Sequence, residues 1–161
     1  MTATAIPSDL QRVEPSYRNA LRARAAAFWA PLFVAALVVN AIALADTPYS
    51  GMLPALICLV GLSGVLVAPD RIYRRLGYAI DGRLLRTVRG WLFHTDTVVP
   101  FVRVQHIDVT RGPFDKMFGT ATLVVHTAGT HNSIVTLPGL LPERAAEIRD
   151  AIRSEIRADA E

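Results

Sequence analysis

The chain has almost no cysteine. Its one residue of that type, Cys58, lies inside an uncharged run, so a single chain can build neither a disulfide framework nor a cysteine-based zinc site. Catalytic signatures are missing as well. The sequence contains no G-x-S-x-G, no H-E-x-x-H and no phosphate-cradling loop. Gly61 and Gly64 fall in an apolar run and have no phosphate to cradle. Ser, His and Asp occur, but in no catalytic arrangement, so the reading is a non-enzyme with no cofactor and no metal. An excess of one charge is also absent. The formal net charge is +3, and from residue 70 onward 13 basic side chains meet 11 acidic ones. Aromatics do not interleave with the cations, which argues against nucleic acid as a partner. No internal repeat and no low-complexity tract is present.

What is abundant is apolar sequence, 52% of the 161 residues, with a mean hydropathy of +0.32. The excess is local. Residues 25–45, AAAFWAPLFVAALVVNAIALA, carry no charge over 21 positions. At about 1.5 Å per residue they cover roughly 30 Å, one hydrocarbon core. Residues 51–68, GMLPALICLVGLSGVLVA, are uncharged over 18 positions. The pair, joined by DTPYS at 46–50, reads as a transmembrane hairpin. Ala43-Leu44-Ala45 resembles a signal-peptide cleavage site, but the first run starts late and is long for such a segment, and the second run would still need a role.

Arginine sets the expected orientation. Arg12, Arg18, Arg22 and Arg24 precede the first run, and Arg71, Arg74 and Arg75 follow the second. The loop between them holds only Asp46. By the positive-inside rule both termini are cytoplasmic and the protein is a multi-pass protein of the cell membrane. Trp29 and Tyr73 fall at the inner interface and Tyr49 at the outer one. The expected organisation is a cytoplasmic tail over 1–24, spans at 25–45 and 51–68, an external loop at 46–50, a basic collar at 69–75 and a cytoplasmic domain over 76–161. Residues 1–17 show little periodicity and read as a flexible tail.

The second half reads as β structure. Asp81-Gly82 between apolar stretches suits a two-residue hairpin turn. A strand follows through Leu84–Val88. WLFHTDTVVPF gives a strand-like pair around a polar tip at His94–Thr97. In VRVQHIDV the period-2 alternation changes phase at Gln105-His106, because Val102 and Val104 fall on one phase and Ile107 and Val109 on the other. One extra residue, a bulge, would return both pairs to the core. In GPFDKMFG, Phe114, Met117 and Phe118 share one face of a helical turn, started by Pro113 and stopped by Gly119. TATLVVHT resumes a strand with Ala121, Leu123 and Val125 on one face, AGTHNS turns, and IVTL is the last strand. Pro138-Gly139 breaks the pattern. From Pro142, Ala145, Ile148, Ile152 and Ile156 recur at helical spacing with charges opposite. The fold class is therefore α+β: a two-helix hairpin, then about seven antiparallel strands capped by a C-terminal helix.

The run RVQHIDVTRGPFDKMFGTATLVVHTAG resembles the bacterial PH-like domain of the YdbS-like membrane proteins. Arg103, Gln105, His106, Val109, Gly112, Pro113, Phe118, Gly119, the strand to Val125 and Thr127-Ala128-Gly129 carry the likeness. Gly90, Pro100 and the terminal Ile148-Arg149-x-x-Ile152 helix add to it. The resemblance covers roughly residues 70–156. It implies a bent β-barrel closed by a helix and held against the cytoplasmic membrane face, with no catalytic residues to carry over. Lys116 stands where many relatives have Arg.

Four features invite a sharper reading. His94, His106, His126 and His131 suggest a metal, and His106 with Asp108 shares one strand face. No third ligand is fixed by spacing, and exposed structural histidines are the simpler account. Asn40 lies within the first run, where a hydrogen bond to the neighbouring helix accounts for it better than a transport pathway. Gly64 and Ala68, four apart, allow close helix approach. Arg71, Arg74, Arg75, Arg83, Arg86 and Arg89 form a candidate anionic-lipid interface, each juxtamembrane cation contributing about 1 kcal/mol. The expected function is a non-catalytic, membrane-anchored module that binds a protein partner or another copy of itself. The alternatives are an anionic-lipid headgroup reader and, lowest, a subunit of a transporter or membrane enzyme.

Overall fold

The computed structural model describes residues 10–90, 94–128 and 134–158. A two-residue strand β1 (Gln11–Arg12) opens the described chain, followed by helix α1 (Pro15–Val39), which continues as a π-helical turn over Asn40–Leu44. Helix α2 (Met52–Leu66) runs directly into α3 (Ala68–Arg74). Two helices are thus long and apolar enough to cross a membrane, Pro15–Leu44 with 30 residues and Met52–Arg74 with 23. At about 1.5 Å per residue the first is about 45 Å long, so it overshoots a hydrocarbon core and enters the domain. The basic segment at 69–75 is helical for most of its length.

Beyond the helices, β2 (Gly77–Asp81), β3 (Leu84–Arg89) and β4 (Thr95–Pro100) join β1 in one antiparallel sheet of order β1-β2-β3-β4. A 3-10 turn at Phe101–Arg103 leads to the second sheet, β5 (Val104–Thr110), β6 (Ala121–Thr127) and β7 (Ile134–Leu140). A short helix α4 (Pro113–Met117) links β5 to β6, and α5 (Pro142–Ala158) ends the chain. The core lies between the sheets and under α5. Leu85, Val99, Ile107, Leu123, Val125, Val135 and Leu137 are buried from the strands, and Ala145, Ile148 and Ile152 from α5. Alternation along β6, with Ala121, Leu123 and Val125 inward, is the period-2 pattern the sequence carries.

Several local expectations need correction. The described part of the expected tail and the first turns of α1 are not featureless: Val13, Tyr17 and Ala20 belong to the core, β1 pairs with β2 (Gln11 opposite Tyr78), and the Glu14 N–H donates to the Gly139 carbonyl at 2.8 Å. An apolar residue at Val13 and a helix started at Pro15 give this segment a face that the domain can bury. Pro138-Gly139 does not end the last strand. The register with β6 shifts between Ala121 and Thr122, Gly139 takes φ +78°, and the strand continues to Leu140. Proline is tolerated at such a bulge because no ladder donor is needed there. The first hairpin loop is Gly82-Arg83, since Asp81 pairs with Leu84; Gly82 supplies the positive φ of +53°. Thr95–Thr97 lie in β4, not in a tip.

The bulge falls where the phase change puts it. Val104 faces Thr127 and His106 faces His126, so Gln105 is the extra residue. Ile107 becomes buried and Val104 and Val109 pack partly against the core, whereas Val102 stays exposed because the 3-10 turn sends Phe101 inward instead. Met117 also leaves its expected face. Phe114 and Phe118 pack against the core, and Met117 is 69% exposed. The strand expected at Trp91–Phe93 and the turn expected over 129–133 fall outside the described residues.

Candidate functional site

The junction between the helical hairpin and the β domain is the most organised polar region. Arg22 Nη2 donates to Asp70 Oδ1 at 3.0 Å, and Arg18 lies 3.7 Å from the same oxygen. These contacts fix the two helices antiparallel, with Arg24 at about the level of Ala68. Those positions bound the uncharged runs on the domain side. Deeper in the pair, a Cβ added to Gly64 would sit 2.8 Å from Trp29 Nε1, and one at Gly61 would sit 3.3 Å from the same ring. The close approach is therefore made by Gly61 and Gly64 against Trp29, not by Gly64 with Ala68. At the other end the Gly51 N–H donates to Asn40 Oδ1 at 2.7 Å, which gives Asn40 a structural task. Tyr73 is not an interface aromatic: it packs against the core, with its hydroxyl 3.4 Å from the Val13 carbonyl.

Asp115 joins this hairpin to the domain. Arg24 Nη2 donates to both of its carboxylate oxygens at 2.8 Å. Thr120 Oγ1 donates to Oδ1 at 3.1 Å and the Gly112 N–H to Oδ2 at 3.0 Å. The carboxylate side chain is only 4% exposed. A buried charge of this kind persists only with a counter-ion and filled lone pairs, and both are present. Gly112, Pro113, Phe118 and Gly119 frame this node. Gly112 donates to Asp115, Pro113 begins α4, Phe118 packs on the core, and Gly119 turns the chain at φ +67°. A second close approach lies beside it. A Cβ on Gly139 would meet the Tyr17 ring at 2.6 Å, so glycine is required there.

The arginines expected to form one lipid-facing group are dispersed. Arg71, Arg74 and Arg75 are exposed at the end of the second helix. Arg83 sits at the far end of the β2–β3 hairpin, 3.7 Å from Glu155 of α5. Arg86 grips Asp96 through Nε, at 3.0 and 3.1 Å, and through Nη2; these hydrogen bonds hold the Asp96 carboxyl below the usual carboxylate range. Arg89 Nη1 donates to Thr136 Oγ1 at 3.1 Å. Arg86 thus bonds to the neighbouring strand and Arg89 to the other sheet.

His106 and His126 face each other across β5 and β6. His106 Nε2 lies 2.8 Å from Asp108 Oδ1, and His126 Nε2 lies 3.7 Å from Asp108 Oδ2. Among the described residues no group of three or more His, Cys, Asp or Glu is arranged to hold a metal. His94 is exposed, and His131 lies outside the described residues. Sequence reading missed a different surface. Leu10, Ala79, Ile80, Asp81, Leu84, Arg86, Asp96 and Val98 line a concavity of about 610 Å³ on the β1–β4 sheet. Leu84 and Val98 are exposed apolar residues, the latter at 51%. Beside it β4 is the margin of its sheet. The signal was present in part, as Leu84 and Val98 break the polar phase of their strands.

Two lipid-length helices feeding a two-sheet body closed by a C-terminal helix define a membrane-anchored PH-like protein. Comparison with known families agrees. The family described as "Bacterial PH domain" matches residues 25–156, and the chain belongs to it. It is 35% identical over 107 residues to the UPF0699 transmembrane protein YdbS of Bacillus subtilis (strain 168). That similarity spans 65% of this chain and 65% of the relative. No solved structure matches the chain.

Proposed function

We propose that the protein is a non-catalytic scaffold at the cytoplasmic face of the membrane, docking a protein segment, from another chain or a second copy, on the β1–β4 sheet. The observation that carries this reading is the concavity bearing Leu84 and Val98 beside the margin of β4, which pairs with no further strand among the described residues. An extended segment can add to a free strand edge through main-chain hydrogen bonds, while apolar pockets select its side chains. The Arg86–Asp96 pair in its lining supplies polar groups that fix orientation. Because Arg24–Asp115 and the β1–β2 pairing tie the domain to the hairpin, this face is held at a set distance from the bilayer.

A photo-crosslinking residue at Val98 in native membranes tests the reading. A protein adduct, to a partner or a second copy, is expected there and not at Ser154 on the exposed side of α5. Adducts to lipid alone, or none, would overturn it. Exposed Arg71 and Arg74, about 4.5 and 9 Å beyond the Ala68 level along the helix, support anionic-lipid contact as a second reading. A loss of domain–membrane contact with rising salt would mark it.

A further inference from the structure

The α4 turn is tied to the start of the first uncharged run, and its exposed residues are those that a bilayer surface selects. Arg24 is the last charge before the first uncharged run, and its guanidinium reaches Asp115 in the middle of α4 at 2.8 Å. The turn is therefore held within one arginine side chain of the point where the helix enters hydrocarbon. Gly112 is close as well, since a Cβ there would lie 4.0 Å from Arg24 Nη2. Phe114 and Phe118 spend their apolar surface on the core, yet Met117 is 69% exposed between them. Lys116, the chain's only lysine, is exposed beside Met117 and has no carboxylate partner among the described residues. Arg111 is exposed just before the turn, although its Nε donates to the Thr120 carbonyl at 3.3 Å.

We propose that this turn is a foot of the domain on the membrane: Met117 enters the headgroup–acyl boundary, and Lys116 with Arg111 engages anionic lipid phosphates. A flexible thioether side chain suits an irregular apolar boundary, and lysine can keep its charged end among headgroups while its stem lies lower. Opposite charge on the inner-leaflet lipids completes the match. The foot extends the contact that the two spans already make, and it stands whether or not a protein docks on the β1–β4 sheet.

The test uses the full chain in nanodiscs, with Cys58→Ser removing the native thiol. A fluorophore is placed at Met117→Cys or, as a control, at Ser154→Cys, and nitroxide lipids labelled just below the headgroup report depth. Both sites are exposed, so the fold is kept. Quenching at 117 and none at 154 is expected in discs containing phosphatidylglycerol. Adding Lys116→Gln to the 117 reporter should lower the ratio of inserted to withdrawn label about fivefold there, and leave it unchanged in pure phosphatidylcholine. Equal quenching at 117 and 154 would overturn the foot. Insertion indifferent to both Lys116 and phosphatidylglycerol would overturn its assignment to anionic lipid.

Discussion

Removing Arg24 is the sharpest perturbation of the junction. In Arg24→Ala the Asp115 carboxylate, 4% exposed, keeps only the Gly112 N–H and the Thr120 hydroxyl. Breaking a buried pair from one side costs about 3–5 kcal/mol when the remaining charge has no compensation. Two surviving donors place this case at the low end, about 3 kcal/mol. For a chain of this size that lowers the melting temperature by about 6–12 °C. The reverse change, Asp115→Ala, strands a guanidinium that is 38% exposed and free to turn to water or headgroups, but it also removes the partners of Gly112 and Thr120, a loss of about 2 kcal/mol. The double variant should lose less than the sum of the two, with a coupling of at least about 1 kcal/mol. Calorimetry of the detergent-solubilised full chain measures all three. An Arg24→Ala protein that melts with the parent, or strict additivity in the double variant, would refute the reasoning.

Other positions give independent outcomes. Gly139→Ala places a methyl group 2.6 Å from the Tyr17 ring at φ +78°, so thermal unfolding should show a loss of about 1–3 kcal/mol. Ile152→Ala, on the inner face of α5 and fully buried, should cost about 2–5 kcal/mol by the same measurement. Gly64→Val should push the two helices apart at Trp29, seen as a shift of tryptophan emission and weaker protection of the hairpin from proteolysis. Hydrogen bonding from Arg86 lowers the Asp96 carboxyl, so the stability it lends is present above the ordinary carboxylate range and is lost as pH falls through its lowered value. Asp96→Asn should therefore show a shallower acid limb in a melting-temperature titration than the parent.

The sequence carried the parts of this fold that repeat. Uncharged runs, the alternation in β6, the phase change at Gln105 and the 3-4 spacing in α5 are periodic signals, and each marks its element. It was poorer where a single distant contact decides. Asp115 reads as a polar interruption in an apolar turn, and nothing in its neighbourhood points to Arg24, 91 residues away. Pro138-Gly139 reads as a stop because local rules cannot see that Tyr17 needs the space above Gly139. The start of α1 and the residues just before it did hold a clue, Val13, Tyr17 and Ala20 at spacings of four and three, but it was too short to stand out. The arginine group is a different case. Proximity in sequence suggested one surface, but Arg83 in the hairpin loop reaches Glu155 of α5, Arg86 pairs across the strands with Asp96, and Arg89 reaches Thr136 of the other sheet.

The central claim is that the two apolar helices cross the bilayer as a pair and hold the β domain on the cytoplasmic side. Topology reporters fused in turn to the amino and carboxyl ends, with a third inserted at Thr47, test it most directly. The account predicts cytoplasmic signal from both ends and external signal from Thr47; an external carboxyl end would contradict it.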